Sequence, residues 1–104
     1  MRVIAKSLLK RFWGLYPDSE TPLRAWHAEA AAAVWKTPAE VKAKYGNASI
    51  VGDNRVVFNI HGNTYRLVVH INYGLGIVLT KWLGTHEQYN KIDATAAEPK
   101  DMEI

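Results

Sequence analysis

Arg55-Val56-Val57-Phe58-Asn59-Ile60-His61-Gly62-Asn63-Thr64-Tyr65-Arg66-Leu67-Val68-Val69-His70-Ile71-Asn72-Tyr73 reads as a strand, a turn and a second strand. Val56, Phe58 and Ile60 alternate with Arg55, Val57, Asn59 and His61. That period of two is the pattern of a sheet with one face against a core. Gly62-Asn63 supplies the hairpin turn, since both residue types tolerate positive φ. Tyr65, Leu67, Val69, Ile71 and Tyr73 then alternate with Arg66, Val68, His70 and Asn72. The hairpin gives the rest of the chain an antiparallel pair to pack on.

Reading outward to the C-terminal side, Gly74–Gly76 turns the chain and Ile77–Leu83 is a further strand. Thr85 caps a short closing helix, with Gln88 three residues on as its capping-box partner. Ala94–Ile104 has no periodicity and is expected to be a frayed tail. On the N-terminal side, Ser49–Val51 is a short strand before the turn Gly52-Asp53-Asn54. Thr37-Pro38-Ala39-Glu40 is a capping box opening a helix to about Lys44, which Gly46-Asn47 ends. Thr21-Pro22 starts an earlier helix, with threonine as N-cap, and Leu23, Trp26, Ala30, Ala33 and Val34 line one face. Leu8, Leu9, Phe12, Trp13 and Tyr16 mark a helix over residues 6–16, behind the β-type pair Val3-Ile4. Helices and strands are segregated, so the class is α+β: an N-terminal strand and two to three helices on an antiparallel meander, with a short C-terminal helix. Residues 1–93 are expected to form one domain and 94–104 a flexible acidic tail.

The chain has 104 residues, a formal charge of +3 and no cysteine. One small core leaves room for a shallow surface groove, which suits a polymer or a partner protein. Between residues 42 and 92, Lys42, Lys44, Arg55, Arg66, Lys81 and Lys91 face only Asp53 and Glu87. Between 93 and 104, Lys100 faces Asp93, Glu98, Asp101 and Glu103. The β-rich half is therefore the basic half, the sign that suits an anionic partner. Without cysteine there is no disulfide framework and no thiolate metal site. No run approaches the roughly 18 apolar residues of a membrane span, and Arg2, Lys6, Lys10 and Arg11 interrupt any signal-peptide core. The expectation is a cytoplasmic protein with no membrane contact.

Four residues carry candidate chemistry. Arg66 offers a planar fork suited to phosphate, or is a solvated strand charge. Lys81 is the only charge in its strand. Its parity with Ile77 and Leu79 is awkward, so a bulge shifts the register near Gly84 or the lysine sits at the sheet rim. His86 is a general acid or base, or a histidine bonded within the cap. Tyr89, one turn on, donates a proton, stacks on a base, or closes the helix onto the sheet. Arg55, Lys91, Lys42 and Lys44 are candidate RNA or ribosome contacts, or surface charges. His27, His61 and His70 make no metal motif and read as structural or surface residues. Trp82 reads as a core anchor before a stacking platform, Asn63 as a turn residue, and Asp93 as a cap or ion-pair partner.

The segments Phe58-Asn59-Ile60 … Gly62-Asn63-Thr64-Tyr65-Arg66-Leu67 and Lys81-Trp82-Leu83-Gly84-Thr85-His86 … Tyr89 resemble the HigB family of toxins, in the RelE/ParE superfamily of small α+β proteins. The resemblance spans roughly residues 1–93. It implies a ribosome-dependent mRNA endonuclease with Arg66, Lys81, His86 and Tyr89 as catalytic residues and no metal or other cofactor. The RNA 2′-hydroxyl would be the nucleophile, leaving a 2′,3′-cyclic phosphate and a 5′-hydroxyl. It also implies neutralisation by a HigA-type helix-turn-helix antitoxin, with operator DNA met only through that complex. ParE-type relatives share the fold but bind DNA gyrase, so a non-catalytic poison is the alternative, followed by a plain RNA-binding module.

Overall fold

The computed structural model describes residues 1–104. β1 (Arg2–Ile4) leads into α1 (Lys6–Leu15), a 3-10 turn over Pro17–Ser19, α2 (Glu20–Ala32) and α3 (Pro38–Lys44). β2 (Ser49–Val51), β3 (Arg55–Ile60), β4 (Tyr65–Asn72) and β5 (Ile77–Thr85) follow, and then α4 (His86–Tyr89). The strands form one sheet in the order β1-β5-β4-β3-β2. β2 to β5 are an antiparallel meander, and β1 lies parallel to β5 at one edge. The α+β class stands, with a mixed sheet. No helix is long and apolar enough to cross a membrane.

One sheet face carries the helices. Trp26, Trp35 and Tyr45 surround Phe58, with ring centroids 5.4, 6.3 and 5.0 Å away. Phe12 stacks on Tyr16 at 4.6 Å and meets the edge of Tyr65 at 5.3 Å. Leu9, Leu23, Val41, Val56 and Leu67 fill the space between and are fully buried. Each such side chain contributes about 1.5–3 kcal/mol by leaving water.

Local chemistry moves several expected boundaries. α2 begins at Glu20 rather than beyond Thr21, because the 3-10 turn runs straight into it; Ser19, at the N-cap, spends its hydroxyl on the Tyr16 carbonyl at 2.6 Å. Pro22 then falls in the first turn, where a missing N–H costs no helix bond. At α3, Thr37 accepts from the Glu40 N–H, but the Glu40 carboxylate accepts from the Lys36 N–H rather than that of Thr37. The hairpin places positive φ on His61 (55°) and Gly62 (64°), one residue earlier than expected. β5 runs on to Thr85 because Tyr65 pairs with Thr85 and Arg66 with Gly84.

The bulge lies at Lys81 itself. Val69 pairs with Thr80 and Val68 with Trp82, which leaves Lys81 as the extra residue. Lys81 lies on the far sheet face, the side its parity with Leu79 gives it, and joins Arg55 beside Glu98; the bulge turns Trp82 to the same side.

That far face is not the solvated one that alternation implies, since Val57, Val68 and Trp82 are all buried there. The C-terminal segment, expected to be a flexible tail over 94–104, lies against it in the structure. Arg55 Nη1 donates to the Ala94 and Ala97 carbonyls at 3.2 and 2.6 Å. Trp82 Nε1 donates to the Asp101 carbonyl at 3.2 Å, within a 3-10 turn over Pro99–Asp101. Ala97 and Met102 are buried against this face. Isolated small residues between polar ones make no periodic signal, yet a buried guanidinium that needs acceptors can dock them.

Candidate active site at the β3–β4 turn

β5 ends in a complete capping box. Thr85 Oγ1 accepts from the Gln88 N–H at 3.1 Å, and Gln88 Oε1 accepts from the Thr85 N–H at 2.9 Å. The box depends on Gly84. A Cβ there would stand 2.7 Å from Trp82 Cζ2 and 2.8 Å from Gln88 Oε1. Gly84→Ala is therefore expected to cost about 1–3 kcal/mol through overpacking. Thermal unfolding checks this, with a fall of several degrees expected.

The box aims α4 across the end of the sheet. The His86 N–H donates to the Thr64 carbonyl at 3.0 Å, which continues the ladder one step past β5. His86 thereby lines an open groove with Tyr16, Asn63, Thr64, Tyr65, Thr85 and Glu87. Its volume is about 380 Å³, and its open shape suits one unit of a polymer laid across it better than an enclosed small molecule.

Arg66 is on the far sheet face, in line with Val68, at the end of β4 next to the groove. Its Nη1 donates to the Asn63 and Tyr65 carbonyls, both at 3.1 Å, and its Nη2 to Asn63 Oδ1 at 2.7 Å. It is 8 % exposed, and no carboxylate lies within ion-pair distance of it. A buried cation held only by neutral acceptors keeps its field for an incoming anion. Asn63 is more than a turn residue: its side chain fixes Arg66 while the residue lines the His86 groove.

A second constellation was invisible in the sequence. Tyr65 donates its phenol proton to Asp18 Oδ1 at 2.5 Å, and His61 Nε2 stands 3.8 Å from Asp18 Oδ2. Burial, then the bond to Asp18, pushes the Tyr65 phenol up to about 12. Tyr65 therefore remains a proton donor and no base at neutral pH. Only the pairing of a helix-linker aspartate with the hairpin reveals this group, and no local spacing encodes it.

The four expected catalytic residues do not all share one pocket. Asn63 bonds Arg66 and also lines the groove that His86 lines. Lys81 sits on the far face with its Nζ 3.2 Å from Glu98 Oε2. Tyr89 leans on Trp82, ring centroids 6.2 Å apart. Of the outer cations, Arg55 is 3 % exposed and bound to the C-terminal segment, and Lys91 is exposed after α4. Lys42 donates to the Ala48 carbonyl at 2.5 Å, and Lys44 lines a separate groove with Glu29, Ala33 and Trp35. Lys42 and Lys44, both on α3, therefore do not line the His86 groove. His70 faces the covered side beside Arg55 and Leu79 in register. His27, on α2, is held below the usual imidazole range by burial and by Lys6. Asp93 accepts from the Thr95 N–H and hydroxyl, a local turn. Nowhere do three His, Asp or Glu side chains converge to hold a metal ion.

The sequence model of the HigB toxin family, described as the RelE-like toxic component of a toxin-antitoxin system, matches residues 19–92. No curated protein matches the chain. The matched segment contains the whole groove except Tyr16, and it stops before the segment that covers Arg55 and Lys81.

Proposed function

The chain belongs to the HigB family of RelE-like toxins, the toxic component of a toxin–antitoxin system, and we propose that it is a ribosome-dependent endoribonuclease acting on mRNA in the cytoplasm. The observation that carries this reading is Arg66: a buried guanidinium free of carboxylates, tied through Asn63 to the open groove that holds His86. RNA cleavage needs such a pair. His86 takes the proton of the 2′-hydroxyl or returns one to the departing 5′-oxygen. As the 2′-oxygen–phosphorus bond forms and the bond from phosphorus to the 5′-oxygen breaks, Arg66 stabilises the charge on the phosphoryl oxygens. The products are a 2′,3′-cyclic phosphate and a 5′-hydroxyl. Tyr89 is a second donor on α4, and Lys81 a second cation on the sheet.

The groove is shallow and holds one imidazole, so the ribosome must supply much of the orientation. Orientation alone contributes many kcal/mol, about 7–11 in the best intramolecular cases. Little cleavage of free RNA is therefore expected. Membership in the family implies an antitoxin partner. We propose a HigA-type helix-turn-helix protein, with operator DNA met only through the complex.

Primer extension on a reporter mRNA, with and without translating ribosomes, tests the reading. In-frame cuts are expected with ribosomes and not without. Arg66→Ala is expected to reduce them by about 100-fold, the scale of one lost donor to a developing oxyanion. Arg66→Lys is expected to recover only part, because an ammonium lacks the fork that spans Asn63 and a phosphate. Growth arrest with no cuts at all would instead favour a non-catalytic poison of the gyrase-binding kind.

A further inference from the structure

We infer that the acidic C-terminal segment is an internal competitor for the RNA backbone, its Glu98 carboxylate standing where a phosphate would bind between Arg55 and Lys81. The inference rests on the RNA-cleaving reading above and adds a phosphate site on the sheet face to it. Glu98 Oε1 lies 3.2 Å from Arg55 Nη2, and Glu98 Oε2 lies 3.2 Å from Lys81 Nζ. One anion therefore bridges two cations from neighbouring parts of the sheet, as a backbone phosphate would. The Lys81 ammonium holds the Glu98 carboxyl below its usual range, so the bridge is charged at physiological pH.

Three further observations point the same way. Residues 93–104 carry four carboxylates against Lys100, and they lie on the basic half of the chain. The bulge at Lys81 leaves it and Trp82 side by side on this face, so the lysine stands next to the indole that the C-terminal segment covers. Finally, the segment lies beyond residues 19–92, which the toxin family model covers. Its buried apolar anchors are Ala97 and Met102, joined by hydrogen bonds from Arg55 and Trp82. A polyanion offering several phosphates at once can displace one carboxylate so held, and it gains counterion release in doing so.

The probe is a short fluorescent single-stranded RNA, read by anisotropy with the full chain. Glu98→Gln keeps the shape and removes the charge. It is expected to tighten binding by about three- to tenfold, and adding Lys81→Ala to it is expected to abolish that gain. Since a phosphate contact gives a salt slope of about −0.7 on single strands, Glu98→Gln should also steepen the salt dependence by about one such step. In the unaltered protein, saturating RNA should speed hydrogen exchange at the Ala97, Asp101 and Met102 amides, which are bonded within the segment. Unchanged or weaker binding by Glu98→Gln, or exchange that RNA leaves unchanged, overturns the inference. Ribosome-dependent cuts by the same preparations report separately on the endoribonuclease reading, so one can fail while the other stands.

Discussion

His86→Ala is expected to lower ribosome-dependent cleavage by about 100-fold or more and to shift thermal unfolding by no more than a few degrees. General acid–base catalysis by one positioned side chain contributes about 10²–10⁴ in rate, and no other imidazole lines this groove. The side chain is exposed and makes no hydrogen bond that the fold needs. The structural contact of residue 86 is its backbone N–H, bonded to the Thr64 carbonyl, and alanine keeps it. The cap belongs to Thr85 and Gln88, so α4 stays in place. Quantitative primer extension with stalled-ribosome controls reads the rate, and growth on induced expression gives the same answer in cells. A variant that keeps more than about a third of wild-type cutting would remove His86 from the chemistry, and the groove with it.

The contrast with Lys81 sharpens this prediction. Both residues come from the same strand–cap segment, yet His86 stands free in the groove and Lys81 is held by Glu98. A loss at His86 should therefore appear under every condition. A loss at Lys81 should depend on whether the C-terminal segment has been displaced.

The hairpin and the capping box were legible because both are local. Alternation from Arg55 to Asn72 and the Thr85–Gln88 spacing each fix a structure within a few residues of themselves. The far sheet face was not legible. Alternation assigned Val57 and Val68 to a solvated side, but burial there is decided by residues some 40 positions later, which carry no periodic apolar signal. Arg55 shows why: a charge on an alternating strand reads as surface until its acceptors, the Ala94 and Ala97 carbonyls, are known. The Lys81 parity problem was visible in the sequence, but its position was not, because a bulge is set by the pairing of two strands. The Asp18–Tyr65–His61 group failed to register for the same reason, being a contact between a helix linker and a hairpin.

Trp82→Ala is expected to be the most destabilising single change on the far face, at about 3–5 kcal/mol. Total stability for a domain of this size is about 5–15 kcal/mol, so about a fifth or more would be lost. Trp82 is fully buried. Its indole lies over Gly84, packs against Tyr89 at 6.2 Å, and donates to the Asp101 carbonyl at 3.2 Å. It therefore joins the sheet to α4 and to the C-terminal segment at once. Alanine would leave a cavity between all three and an unpaired carbonyl at Asp101. At about 4–8 °C per kcal/mol for a domain of this size, the melting temperature should fall by more than about 12 °C. Trp82→Phe retains most of the volume and loses the N–H, so it should cost far less. The pair also separates a core anchor from a base-stacking platform. A platform would lose RNA binding with little change in melting, whereas a buried anchor loses melting temperature first. A fall below about 3 °C for the alanine variant would mean that the sheet face does not need the cover the indole provides.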